Sequence, residues 1–156
     1  MLRYPMTPAG LKALEAELKK LREVDRPANV KAIEEAREQG DLAENAEYKY
    51  AKEQQGLIAG RMEHLEERIS RAEVIDPKKL SGDRVVFGAK VHLENLDTGE
   101  QVAYRIVGED EADIEQGTIS ITSPIARGLI KKEVGDRANI RTPAGLRSFE
   151  IFDIEF

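Results

Sequence analysis

The spacing of apolar residues changes along the chain, and this change limits the folds that the sequence can adopt. Up to about residue 75, leucine, isoleucine and alanine recur at steps of three and four, the spacing of a narrow coiled-coil seam. From about residue 80, apolar and polar residues alternate, which is typical of strands with one buried face. The sequence therefore predicts an α+β protein, with a helical domain over residues 1–76 and a β-rich domain over residues 80–156.

The helical half is predicted to form one antiparallel coiled-coil hairpin. Its first helix follows Thr7-Pro8, an N-cap with proline at the first helical position. The paired seams consist of Leu11, Leu14, Leu18 and Leu21, and of Met62, Leu65, Ile69 and Ala72. Pairing them in order places the turn at residues 40–42 and gives helices of roughly 30 residues, about 45 Å long. Pro27 interrupts the first helix, and a kink or stutter is expected there.

The β-rich half is predicted to be a mostly antiparallel sheet with one short helix. The helix opens at Ser123-Pro124 and runs to about Ile130, and Asp97-Thr98-Gly99 is a hairpin turn signal. Residues 76–79 form the predicted linker between the halves. The predicted strands are Arg84–Phe87, Lys90–Leu96, Gln101–Val107, Ile119–Ile121, Arg137–Thr142 and Leu146–Ile154.

Charge and composition exclude several classes of function. The formal net charge of −6 argues against tight, unaided binding to duplex nucleic acid, which depends on basic residues that neutralise phosphates. The absence of cysteine excludes disulfides, zinc–thiolate sites and thiol nucleophiles. No apolar run reaches the length of a signal peptide or a membrane span, so we expect a cytoplasmic protein without a membrane partner.

Acidic side chains concentrate at the hairpin tip, near residues 40–45. Asp41 and Glu44 are three residues apart at the expected start of the second helix, so they would lie on one side of it. Two close carboxylates can hold a divalent cation and position a water molecule bound to it. The alternative is a capping box, in which Asp41 caps first-turn amides and Glu44 reaches back. Both interpretations can hold together, because a cap would fix the carboxylates in place.

The two histidines, His64 and His92, are far apart in the sequence and have no companions at the spacing of metal ligands. We therefore assign neither of them a functional role from the sequence.

Two long segments carry distinctive motifs, EAREQGDLAENAEY over residues 35–48 and SPIARGLI over residues 123–130. The first resembles the tip signature of the GreA/GreB transcript-cleavage factors, and the second resembles the signature of that family's C-terminal domain. Ile106-Val107-Gly108 followed by Asp110-Glu111-Ala112-Asp113 fits as well. The resemblance covers essentially the whole chain, with the domains in matching order.

This resemblance implies a fold and a partner. The family has an N-terminal antiparallel coiled coil and an FKBP-like C-terminal domain, and its members act on bacterial RNA polymerase. We expect this chain to be a monomer. The C-terminal domain docks at the rim of the polymerase secondary channel, and the coiled coil passes down that channel. The positions that match the docking signature are Ser123, Pro124, Ile125 and Arg127. The alternative is that the apolar members of this segment are simply core.

The resemblance also implies the chemistry of the tip. Asp41 and Glu44 would help to hold the second catalytic Mg²⁺ of the polymerase and position the attacking water. The polymerase then cleaves the RNA 3′ end of a backtracked complex and resumes synthesis. The chain would thus be no freestanding enzyme and would bind no Mg²⁺ in isolation. Within the family, the sequence resembles GreA more than GreB, because the hairpin has no strongly basic stripe. The family's association with DNA binding gains little support from the net charge.

Two alternatives remain from the sequence. The first is a non-catalytic factor or inhibitor that occupies the same channel, against which the intact Asp-x-x-Glu at the tip argues. The second is a prolyl isomerase, which the FKBP-like fold alone suggests. Such enzymes line their pocket with aromatic residues, whereas sheet packing is expected to use most of those in this half: Phe87, Tyr104, Phe149, Phe152 and Phe156.

Overall fold

The computed structural model describes residues 2–40 and 44–156, which divide into two compact units. We call residues 11–71 the helical unit, and residues 2–10 together with 72–156 the sheet unit. The two segments that flank the hairpin thus belong by their contacts to the sheet unit, and not to the helical domain assigned from the sequence. Among the described residues, no helix is both long and apolar enough to cross a membrane.

The two flanking segments form a small parallel sheet of their own. Strand β1 (Tyr4–Met6) pairs with β2 (Ala72–Val74), and the Ile75 N–H donates to the Met6 carbonyl oxygen at 2.9 Å. Each strand has three residues, too few to show a period in the sequence. The pairing is also non-local, so the sequence predicts neither strand.

A carboxylate in the sheet unit fixes the segment after β1. Glu111 accepts hydrogen bonds from the backbone N–H of Thr7 at 2.8 Å and of Gly108 at 3.1 Å, and also from the Thr7 hydroxyl. A Cβ atom at Gly108 would lie 2.6 Å from the Pro5 carbonyl oxygen, so only glycine allows this close approach. The Ile-Val-Gly and Asp-Glu-Ala-Asp motifs of the sequence thus serve to hold the first residues of the chain.

The first arm of the hairpin is helical from Pro8 to Glu38, with one wider turn. It consists of α1 (Pro8–Lys20), a π-helical turn (Leu21–Asp25) and α2 (Arg26–Glu38). The irregularity predicted near Pro27 is confirmed as this widened turn, in which the Arg26 N–H donates to the Leu21 carbonyl oxygen. Proline lacks an N–H, and its ring clashes with the carbonyl four residues earlier in a regular α-helix, so a locally wider turn relieves the clash.

The second arm is α3 (Ala46–Ser70), and it runs antiparallel to the first arm as predicted. Asn29, although polar, is buried at the seam, and its Nδ2 donates to the Ala51 carbonyl oxygen at 2.9 Å. Glu17 near the start of the first arm pairs with Arg61 near the end of the second. The buried apolar residues of the seam are Leu14, Leu18, Ile33, Ala36, Ala51, Met62 and Leu65.

We expect the pair of Glu17 and Arg61 to contribute a small, acid-sensitive part of the hairpin's stability. The Arg61 guanidinium donates two hydrogen bonds to this carboxylate and lowers the pKa of Glu17 below its ordinary value of 4.5. A lowered carboxyl pKa stabilises the folded state above the unfolded pKa, and the stabilisation is lost as the pH falls through the folded pKa. Both side chains are about 40% exposed, so Glu17→Gln should cost less than about 1 kcal/mol at neutral pH. Urea unfolding followed by helical circular dichroism measures the cost, and an equal cost at pH 7 and pH 2 would contradict the assignment.

The sheet unit contains one five-stranded sheet in the order β5-β4-β3-β7-β6. The strands are β3 (Lys90–Asn95), β4 (Gln101–Val107), β5 (Thr118–Ser120), β6 (Arg137–Thr142) and β7 (Gly145–Glu155). Among the described strand pairs of this five-stranded sheet, only β4–β5 is parallel, so the predicted mostly antiparallel sheet is confirmed. The predicted short helix is α4 (Pro124–Leu129), whose Ala126 and Leu129 are fully buried in the core of this unit.

The strand predicted at Arg84–Phe87 is wrong. Arg84 makes an isolated bridge to Glu133, and no ladder follows it. Val85 and Phe87 are nevertheless buried, whereas Val86 between them is 39% exposed. The alternation in the sequence therefore reports burial of every second side chain, which an irregular segment can also achieve.

Candidate functional site at the hairpin tip

The tip begins where α2 ends. The helix stops at Glu38, and Gly40 adopts a φ of 129°, in the region that favours glycine. The stop signal predicted at Gln39-Gly40 is thus confirmed. Of the two predicted site residues, Asp41 lies outside the described residues, and Glu44 is exposed.

The capping box predicted for Asp41 and Glu44 is wrong, because α3 starts later than expected. Its N-cap is Asn45, whose Oδ1 accepts a hydrogen bond from the Tyr48 N–H at 3.0 Å. Glu44 precedes this cap and is not within the first helical turn. Asparagine and aspartate are about equally good N-caps, and the local sequence offered both. The shift also leaves the second arm with 25 residues, about 37 Å of helix.

Asn45 fastens the two helix ends together. While its Oδ1 caps α3, its Nδ2 donates at 2.6 Å to the Ala36 carbonyl oxygen, which also accepts from the Gln39 N–H at the end of α2. The Arg37 guanidinium also lies 5.9 Å from the centroid of the Tyr48 ring, within the range of a cation–π contact. These contacts hold the backbone next to Glu44, although the side chain of Glu44 itself is exposed.

The predicted docking residues divide into structural and outward-facing ones. Ser123 is the N-cap of α4 and accepts from the Ala126 N–H at 3.2 Å, and Ile125 packs partly buried against the core. Pro124 and Arg127 are exposed on α4. Of the four residues, these two are thus the ones available to a partner.

One cluster of side chains on the sheet unit was not predicted from the sequence. His92 of β3 lies beside Asp153 and Glu155 of β7, with one ligand atom from each residue within 4.8 Å of the others. The His92 Nε2 is 3.0 Å from the Glu155 Oε2, and this hydrogen bond lowers the pKa of Glu155 below its ordinary value. The partners are separated by 63 positions in the sequence, so no local spacing could have indicated them.

Comparison with known proteins places both halves of the chain in one family. Residues 4–74 match the family model described as transcription elongation factor, N-terminal, and residues 80–156 match transcription elongation factor, GreA/GreB, C-term. Transcription elongation factor GreA of Maricaulis maris (strain MCS10) is 54% identical over 156 residues, covering 100% of this chain and 99% of the relative. That of Psychrobacter sp. (strain PRwf-1) is 59% identical over 155 residues, with coverages of 99% and 98%. The chain belongs to the GreA/GreB family of transcription elongation factors.

Proposed function

We propose that this elongation factor enters the secondary channel of bacterial RNA polymerase and stimulates the polymerase's own cleavage of backtracked RNA. The observation that carries the proposal is an exposed glutamate, Glu44, at the tip of a two-helix arm. It lies next to Asn45, whose two side-chain hydrogen bonds, which we call the clamp, join both helix ends. Such an arm is narrow, since each helix with its side chains is only about 10–12 Å across. A carboxylate at its end can therefore reach a site that a globular domain could not enter.

In this proposal Asp41 and Glu44 supply negative charge to an active centre that belongs to the polymerase. Carboxylate oxygens are the donors that Mg²⁺ prefers, and the exposed carboxylate of Glu44 fits that preference. The two residues would hold a Mg²⁺ shared with the polymerase, and such an ion, when bound, lowers the pKa of water. The carboxylates would orient the attacking water towards the RNA phosphodiester and accept its proton. The chain thus contributes groups to the reaction and is no freestanding nuclease.

The shared site predicts that the isolated chain binds Mg²⁺ weakly. Mg²⁺ demands near-octahedral coordination and loses its water reluctantly, so one or two carboxylates usually need further ligands such as substrate phosphates. Calorimetric titration of the full chain should show no saturation below about 1 mM Mg²⁺. Tight binding without polymerase would contradict the shared site.

The sheet unit is proposed to supply the docking surface, through the exposed part of α4. Arg127 is exposed in the last turn of α4, so a partner can contact it without disturbing the core. We expect Arg127→Glu to weaken polymerase binding about tenfold, or about 1.4 kcal/mol. Arg141→Glu makes the same charge change at an exposed position of β6 and serves as the control. Equal affinities of the two variants in a competition assay with the parent would remove α4 from the interface.

The experiment that tests the function is RNA cleavage in a defined backtracked polymerase complex, with and without the full chain. The proposal expects shortened RNA and resumed synthesis when the chain is present. A complex that binds the chain but leaves its RNA uncut would instead identify a non-catalytic channel factor. Prolyl isomerase activity gains no support, because Phe87 and Phe149 are buried in the sheet unit.

A further inference from the structure

We propose that His92, Asp153 and Glu155 form a binding site for one divalent transition-metal ion of the zinc type on the outer face of the sheet. Each residue offers one ligand atom, and all three atoms lie within 4.8 Å of one another. Tetrahedral zinc bonds of about 2.0–2.2 Å place neighbouring ligand atoms roughly 3.4 Å apart. The His92–Glu155 distance of 3.0 Å would therefore lengthen slightly, and the Asp153 carboxylate would adjust to a similar spacing from both. Asp153 and Glu155 are exposed, so their side chains can make this adjustment.

The β-bulge in β7 brings the three side chains together. β7 carries one extra residue, Phe152, where it passes from Leu93 to His92, so that Asp153 lies opposite His92. Without the extra residue Asp153 would fall opposite Val91, whose side chain is fully buried, since a shift of one residue moves a side chain to the other face. The bulge thus turns both acids of the cluster to the face that carries the imidazole.

The donor set selects the class of metal. One imidazole nitrogen and two carboxylates are ligands of zinc, and three protein ligands leave a fourth position for water. Magnesium and calcium prefer oxygen ligands alone, so they fit less well. Two carboxylates also balance the charge of a divalent cation. Lys90 and Arg105 act on Glu155 electrostatically and oppose the ion, so the expected dissociation constant is on the order of 10 μM, well above that of a structural zinc site.

A bound ion would join β3 to β7 on their outer face. It would therefore add a cross-link between two neighbouring strands whose inner faces, including Val91 and Ile151, are already fully buried. The site lies in the sheet unit, whereas the tip acids belong to the helical unit. The proposed zinc site is therefore independent of the proposed transcript cleavage.

Zinc titration of the full chain tests the site, because the chain contains two histidines and no cysteine. Calorimetry should show one Zn²⁺ bound per chain, and NMR should show the ring nitrogens of His92 shifting while those of His64 stay unchanged. We expect His92→Gln to weaken binding at least thirtyfold, and Asp153→Asn with Glu155→Gln to do the same. His64→Gln removes the other imidazole and should bind zinc like the parent.

Four results would overturn the site. The first three are no saturation below about 1 mM Zn²⁺, equal affinity in the parent and His92→Gln, and retained affinity in the double carboxylate variant. The fourth is binding that disappears only with Asp41→Asn and Glu44→Gln, which would assign the zinc to the tip. All three positions lie on the outer face of the sheet, so the variants should fold like the parent. Amide NMR spectra of each variant without zinc verify this.

Discussion

With Asp41→Asn and Glu44→Gln combined, we expect the factor to lose nearly all stimulation of transcript cleavage while it still folds and binds polymerase. Amides keep the size and the hydrogen-bonding oxygen of the acids but not the negative charge, on which metal coordination and water activation depend. The fold should tolerate the change at Glu44, because this residue is exposed and precedes the N-cap of α3. The expected loss is about a hundredfold or more in rate, or about 2.7 kcal/mol in the barrier.

Cleavage rates at saturating factor in a backtracked complex measure this loss, and competition with the parent measures binding. Glu47→Gln is the matched control, since it neutralises another exposed acid in the first turn of α3 and should change the rate little. If the double variant stays within about threefold of the parent, a difference of about 0.7 kcal/mol, the catalytic role of the tip acids is wrong. If Glu47→Gln lost as much rate as the double variant, the effect would come from the overall negative charge of the tip and not from these two acids.

The period of apolar residues predicted the long elements well, because it is a property of contiguous sequence. It located β4 at Gln101–Val107 and both arms of the hairpin. The same signal gave a strand at Arg84–Phe87, where alternating burial occurs without a ladder. It did not predict β1 and β2, which have three residues each and lie on either side of the hairpin in the sequence.

The candidate sites depended on information that the sequence carries less directly. The tip acids came from a resemblance to a family signature, while spacing alone allowed a cap or a metal site. The actual cap, Asn45, is settled by its second hydrogen bond to Ala36 in the other arm, a contact made only after the arms pair. The cluster of His92 with two acids needs both the pairing of β3 with the last strand and the bulge at Phe152. Register and bulges are tertiary features, so no periodicity could reveal them.

Asn45 should matter to cleavage as a positioning residue, although it carries no charge. Asn45→Ala removes the acceptor for the Tyr48 N–H and the donor to the Ala36 carbonyl oxygen. Losing the cap costs about 1 kcal/mol, and losing the second bond costs about as much again. With the clamp gone, the carboxylates remain but their backbone is no longer held, so we expect about a tenfold slower cleavage at saturating factor.

A second variant separates the clamp from the cap. Asn45→Asp keeps an N-cap of equal quality, but it places a carboxylate oxygen where Nδ2 now donates to the Ala36 carbonyl oxygen at 2.6 Å. If the clamp positions Glu44, the aspartate variant should cleave as slowly as the alanine variant while retaining the helicity of the parent. Both should also need more Mg²⁺ for half-maximal cleavage, a shift that a merely destabilised but correctly positioned tip would not show. Parental rates and Mg²⁺ dependence for Asn45→Asp would mean that only the cap matters and that the bond between the two arms has no part in the chemistry.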